Sequence, residues 1–249
     1  MKDSLGDRIK EYESVPSLKL TRRTPVIVRL DGKAFHSWVK KAKCEKPFDN
    51  NLIRIMQGTT AYLCKNVQGC RIGYCQSDEI TLLLIDYGTL ESDAYYDNSV
   101  QKICSVTSSM ATAYFNNLSL LIFANSPLAM FDSRCFNVPK EEVNNTFLWR
   151  QQDASRNSVQ MLARSFFSHK ECENKNNSEL QDMMMEKHNV NWNELETYKK
   201  RGTCVYKKLG ENNKPEWFID KNIPIFSQEK DFVGKWVQSR SVEELLIGE

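Results

Sequence analysis

Two short acidic motifs have the composition to do chemistry: Asp31-Gly32, which closes an apolar run, and Ser77-Asp78-Glu79, which lies between two more. Carboxylate oxygens are hard donors that suit Mg2+, and two of them with a backbone carbonyl make a plausible protein share of a divalent-cation shell, phosphates and water supplying the rest. Each motif alone is weak, because Asp-Gly is a common turn and a surface Asp-Glu pair is usually only solvated. Their setting raises their weight. Directly after Asp31 come Lys33, His36, Lys40, Lys41, Lys43 and Lys46, opposed only by Glu45. A lysine run is more often a solvated helix face than a site, but beside paired carboxylates it becomes a local place for an anion. Gly32 suits a tight turn and also lets backbone approach a phosphate without Cβ obstruction. The N–H groups through Lys33, Ala34, Phe35 and His36 are expected to cradle a triphosphate as the next helix begins.

The elements that must position these residues follow from the apolar pattern. Thr24 to Leu30 is a β-branched run entered through Pro25 and reads as a buried strand that delivers Asp31 to its end. Between Asn51 and Asn66, Leu52, Ile55, Met56, Thr59 and Leu63 recur at helical spacing. Arg71 to Cys75 and Ile80 to Ile85 are strand-like and, with four polar residues between them, predict a hairpin. A helix over Asn98 to Asn116 and a strand within Ala129 to Val138 complete a βαββαβ order, the ferredoxin-like pattern of an α+β fold. In its usual form the helices cover one face of the sheet and leave the other open for a ligand. The first and third strands are neighbours in that topology, so Asp31 and Asp78 converge although 47 positions separate them. Further on, the pattern predicts helices over Trp149 to Phe167, from a Ser178 cap through Met184, and over Trp192 to Lys200, with a loop at Lys170 to Asn177 and a late strand at Thr203 to Lys207. We expect a palm-like catalytic core over 1–140 and a mainly helical appendage packed on it over 141–249.

Bulk properties exclude several classes. A net charge of +2 is too balanced to mark a nucleic-acid binder by itself, so any phosphate site is local. No run approaches a membrane span and the first residues lack a signal-peptide pattern, so the expectation is a cytoplasmic protein without a membrane partner. The eight cysteines form no C-x-x-C pair and predict buried thiols rather than a zinc ribbon or a disulfide framework.

The motifs extend in order along most of the chain. Arg29-Leu30-Asp31-Gly32-Lys33-Ala34-Phe35-His36, Lys46-Pro47-Phe48-Asp49, Gln76-Ser77-Asp78-Glu79, Lys102, Phe131-Asp132-Ser133-Arg134, Trp149-Arg150-Gln151-Gln152-Asp153, Asn157 and Tyr198-Lys199-Lys200-Arg201-Gly202-Thr203 together resemble the signature series of the tRNA-His guanylyltransferase family. The resemblance implies a palm-type fold that holds two Mg2+ ions through Asp31, the Gly32 carbonyl and Asp78, with Glu79 supporting that shell. It implies nucleotide binding by Asp31 to His36 with Ser77 and Asp78, and places Lys46, Asp49 and Lys102 near a triphosphate or an activated 5′ end. Arg134, Arg150, Gln151, Asp153, Asn157, Lys200 and Arg201 either position RNA or hold the appendage together. ATP and GTP are the implied substrates, tRNA the partner and a homotetramer the assembly. Eukaryotic members carry His-Ile-Asn-Asn where this chain has Ser155-Arg156-Asn157-Ser158, so the chain looks more like bacterial and archaeal-type relatives that repair truncated tRNA 5′ ends by templated 3′-to-5′ addition. Two other readings use the same residues: a palm-type nucleotide cyclase, and a ferredoxin-like RNA-binding module without catalysis. The module reading is disfavoured because the strands lack the adjacent stacking aromatics that such a sheet displays.

Overall fold

The computed structural model describes residues 4–124, 126–241, 244 and 246. Six antiparallel strands form one sheet in the order β4-β1-β3-β2-β5-β6. Its first four are β1 (Val26–Gly32), β2 (Cys70–Gln76), β3 (Glu79–Leu84) and β4 (Phe131–Asn137), the ferredoxin-like order read from the sequence. The two crossover helices, α3 (Asn50–Asn66) and α4 (Val100–Ile122), pack on one face with Ile55, Leu63, Ile103 and Phe115 against Val28, Leu30 and Leu82.

The opposite face is not open. Val143 and Phe147 of the long helix α5 (Lys140–Phe166), together with Ile223, Phe226, Val233 and Trp236, cover Ile27, Ile72, Tyr74 and Leu83. Because both faces are covered, β2 and β3 read as nearly unbroken buried runs instead of alternating ones. That leaves the end of the sheet, where Asp31 and Asp78 emerge, as the place for a ligand.

The sheet also continues past residue 140. β5 (Thr203–Leu209) is the expected late strand, somewhat extended, and it pairs with β2; β6 (Pro215–Asp220) then adds an outer strand that the sequence reading missed. Pro215 and the brevity of the apolar run Trp217-Phe218-Ile219 conceal β6, and a proline at its start suits an edge strand. Helix α1 (Ser4–Ser14) also went unread and buries none of its side chains. Short α2 (Phe35–Lys41) follows β1, and α6 (His169–Cys172) occupies the predicted loop. The next helix, α7 (Asn177–His188), is capped by Asn176 and not Ser178: Asn176 accepts from the Glu179 N–H while Glu179 accepts from the Asn176 N–H, a reciprocal box. The single helix expected over Trp192 to Lys200 is instead a 3-10 turn at Trp192–Glu194 and a separate helix, α8 (Thr197–Arg201), because Leu195 and Glu196 are extended between them. A last short helix, α9 (Asp231–Gly234), brings Val233 to the second core.

At the junction of α8 and β5, Gly202 has φ +83°, and an added Cβ would stand 2.6 Å from the Cys75 carbonyl oxygen. Gly202→Ala is expected to destabilise the fold by more than about 1 kcal/mol, since both conformation and space oppose a side chain. A urea denaturation midpoint equal to wild type would contradict this.

Candidate active site

Two strand ends and one turn make the acidic cluster. In the register Asp31 lies opposite Glu79 of β3 on one side and Asp132 of β4 on the other. The turn between β2 and β3 has only two residues, Ser77 and Asp78, with Gln76 opposite Glu79; Ser77 sits at φ 49° and donates through Oγ to Asp78 Oδ1 at 2.9 Å. The Gly32 N–H donates to the Asp78 carbonyl at 3.1 Å, which ties the two motifs directly. Burial and, to a smaller degree, the neighbouring Asp31 charge raise the Asp78 pKa above the ordinary carboxylate value, partly offset by the Ser77 hydroxyl. Such a cluster is one that a divalent cation would neutralise.

Glu79 has a different environment. Arg150 Nε donates to its Oε1 at 2.5 Å, and the two side chains are only 8% and 12% exposed. Burial still leaves the Glu79 pKa raised, with Arg150 and Arg29 pulling it the other way and Asp31 pushing it up. Arg150 also bonds Asp153 at 2.8 Å and stacks on Trp149, its guanidinium 4.3 Å from the ring centroid. Among the described residues no group of three or more His, Cys, Asp or Glu side chains is arranged to hold a metal. With Glu79 turned to Arg150 and Asp132 to Arg134, the acidic groups left at this sheet end are Asp31 and Asp78, a sparse pair that could hold a cation only if substrate phosphates and water completed its shell.

Beside the cluster opens a cavity of about 330 Å³. Phe35, His36 and Asp49 line one wall, Gln76, Ser77 and Asp78 the sheet end, Ala154, Asn157, Ser158 and Met161 of α5 a third side, and Tyr198 and Lys199 of α8 the last. Asp31 is not among the lining residues. Of the apolar lining, Phe48 lay within a motif of the sequence, whereas Val39, Leu52 and Met161 had no distinct signal, since such residues on helices read as ordinary core.

Other predicted residues fall in several places. The N–H groups of Gly32 and Lys33 are already used, bonding Asp78 and Met130 carbonyls, so the proposed cradle is reduced to Ala34, Phe35 and His36. Gly32 ends β1 without a positive φ and the left-handed residue is Ala34, at φ 52° just before α2; a Cβ on Gly32 would meet the Phe35 ring at 2.3 Å, so Gly32 is needed for close packing and not, as its type suggested, for the turn. Lys33 and Lys46 are exposed, Lys46 standing between the lining residues Glu45 and Pro47. Asp49 caps α3, accepting from the Asn51 and Leu52 N–H groups at 2.9 Å each and from the Glu45 N–H at 2.8 Å. Removing that cap in Asp49→Ala is expected to cost about 0.5–2 kcal/mol of stability by thermal or urea unfolding, whatever happens to nucleotide binding.

Lys102 is not brought to the cavity. It lies in the first turn of α4, near where Val100 meets Cys135 and thus alongside Val28, whereas the part of α4 near the acidic end is Thr112 to Asn116, bonded to Phe131 and Ala129. Of the residues left between RNA and internal roles, Arg150 and Gln151 are buried; Gln151 donates to the Pro224 carbonyl and accepts from the Phe226 N–H, pinning the C-terminal segment to α5. Neither has a surface to offer RNA. Asp153 gathers Arg150, Arg156 and Asn157. Lys200 Nζ is tied to the Asn193 carbonyl at 2.5 Å, and the carbonyl of half-buried Arg201 accepts from Tyr74 Oη. Arg134 is exposed on β4, 2.8 Å from Asp132, and its pKa is raised by Asp132 and further by Asp31 and Glu79.

Comparison with known proteins decides the family. The model of the family described as Thg1, tRNAHis guanylyltransferase, matches residues 6–139. The chain belongs to the tRNA-His guanylyltransferase family. A bacterial tRNA(His) guanylyltransferase-like protein solved in complex with ATP is 42% identical, with a TM-score of 0.90 over 95% of this chain and 100% of that one. A bacterial protein of the same description in complex with GTP is 40% identical, with a TM-score of 0.82 over 94% of this chain and 99% of that one. A probable tRNA(His) guanylyltransferase of Dictyostelium discoideum is 27% identical over 229 residues, 86% of this chain and 87% of the relative. The palm-like α+β fold and the nucleotidyltransferase class read from the motifs stand on these matches, and the chain is an enzyme that adds nucleotides to tRNA in the 3′-to-5′ direction. Among the described residues no helix is long and apolar enough to cross a membrane.

Proposed function

We propose that this enzyme repairs 5′-truncated tRNA by template-directed addition, with Asp31 and Asp78 holding two Mg2+ ions and the cavity beside Asp78 holding ATP or GTP. The observation that carries this reading is the meeting of Asp31 and Asp78 at one sheet end, joined by the Gly32 to Asp78 backbone bond, next to a cavity of nucleotide scale. When bound, the metal ions would polarise the phosphoryl oxygens and offset the charge that develops during transfer.

The chain's own contribution is positioning. His36 and the N–H groups of Ala34 to His36 face the anionic part of the ligand, while Val39, Phe48, Leu52 and Met161 exclude water around its base. Glu79, fixed by Arg150, keeps the β1 and β3 ends in register with the acidic turn. In the reaction this supports, the 5′-phosphate of the RNA first attacks the α-phosphate of a nucleoside triphosphate, forming a 5′–5′ anhydride and expelling pyrophosphate. The 3′-hydroxyl of an incoming nucleotide then attacks the RNA's 5′-phosphate, and the nucleoside monophosphate leaves. A 5′-triphosphate end already carries its leaving group. Ser155-Arg156-Asn157-Ser158 favours templated repair over a single fixed G addition: Asn157 and Ser158 line the cavity, and Ser158 is occupied in accepting from Trp192 Nε1 at 2.9 Å. We further propose a homotetramer acting in the cytoplasm.

The deciding experiment offers several tRNAs shortened at the 5′ end, each with one NTP at a time and with Mg2+ present or chelated. Extension is expected only with the base complementary to the opposing 3′-strand nucleotide, and only with metal. Equal incorporation of all four bases would reject templating, and a cyclic mononucleotide formed from ATP or GTP without RNA would favour the cyclase reading instead.

A further inference from the structure

The cavity wall at Tyr198 and Ile53 has a second side. A smaller hollow shares both residues and is otherwise walled by Asn50, Arg54, Gln57 and Lys221. From there a surface runs between α3 and the outermost strand. On β6 the side chains alternate, so Trp217 and Ile219 pack toward α3, and Lys221 follows at the same parity. Lys207 of β5 opposes Trp217 and shares that face, its ammonium 5.5 Å from the Trp217 ring centroid. The Lys221 ammonium stands 5.7 Å from the Tyr198 ring.

Three cations thus follow one another outward from the cavity, interleaved with two aromatic rings. Arg54, Lys207 and Lys221 make no ion pair among the described residues, while the acids of β6, Glu216 and Asp220, alternate to the other face, Glu216 opposite Lys208 and Asp220 accepting from Tyr206 Oη. The four residue steps from Trp217 on β6 to Lys221, just past its end, cover up to about 13 Å, enough for more than one phosphate. Lysines on an edge strand also deter edge-to-edge pairing, but that role asks nothing of Arg54 on a helix.

We propose that Arg54, Lys207 and Lys221 form a track for the sugar-phosphate backbone of the RNA substrate, leading away from the active site along the α3–β6 groove. The track rests on the reading of tRNA as substrate and adds where its body lies. It binds by charge and so is sequence-tolerant.

The test is RNA binding by the full-length Arg54→Ala, Lys207→Ala, Lys221→Ala triple variant, measured with a 5′-truncated tRNA transcript from 50 to 300 mM salt. Expected is an affinity weakened by about tenfold or more near physiological salt, and a log–log salt slope shallower by about 2–3, one unit or a little less per lost phosphate contact. ATP binding should not change, and the charge-preserving Arg54→Lys, Lys207→Arg, Lys221→Arg variant should restore RNA affinity. Unchanged affinity and slope in the alanine variant would overturn the proposal. So would competition by polyglutamate as effective as by RNA of equal charge, which would point to an acidic protein partner. Extension of the same tRNA by wild type is followed in parallel: failure there rejects the proposed function, whereas the track is judged on the binding data alone.

Discussion

Replacing Asp31 or Asp78 by alanine is expected to reduce nucleotide addition to a 5′-truncated tRNA by at least about a thousandfold, the scale on which electrostatic stabilisation of a transition state operates. Both side chains stand at the same sheet end, and the two carboxylates flanking Asp31 in the register are engaged elsewhere, Glu79 with Arg150 and Asp132 with Arg134. Single-turnover assays at saturating RNA and NTP separate this from weakened binding. Residual activity within tenfold of wild type would sink the metal assignment.

The same site makes an opposite prediction for stability. Burial and the Asp31 charge raise the Asp78 pKa, so folding favours the protonated carboxyl over the ionised one. Stability from this group is therefore present at low pH and lost as pH rises through its folded value. Asp78→Asn removes the ionised group, so the metal-free variant should melt higher than metal-free wild type at pH 7.5, with the difference shrinking as acid protonates the wild-type side chain. A lower melting temperature at pH 7.5 would show that Asp78 helps the fold rather than burdening it, against the expected trade between site and stability.

The largest stability loss is expected at Arg150. Its partner Glu79 is 12% exposed, and Arg150→Met would leave that carboxylate buried without its cation, at a cost of about 3–5 kcal/mol. Adding Glu79→Gln to the methionine variant should recover much of the loss, because the neutral amide no longer demands a counter-charge. Urea denaturation of the four proteins in the cycle gives the coupling directly. A single-variant loss below about 1 kcal/mol, or strict additivity, would show that water or Arg29 already satisfies Glu79.

The two acidic motifs, the order of the first four strands and the two crossover helices were legible from spacing alone, because each depends on local chemistry: a period of two or near 3.6, and carboxylates placed where a strand meets a turn. From that pattern and the ferredoxin-like order came the approach of Asp31 to Asp78. The tertiary structure decided what depends on distant packing. It closed the second face of the sheet with α5 and the segment from Ile223 to Trp236, which moved the site from the face to the end. It buried Arg150 and Gln151, which look as polar in sequence as Asn157, and left Asn157 on the cavity wall. It placed Lys102 three strand positions back from Asp31 and hid β6 behind a proline at the sheet's edge. A side chain's type fixes what it can bond, but whether it meets water, a ligand or the core is set by elements far away in the chain.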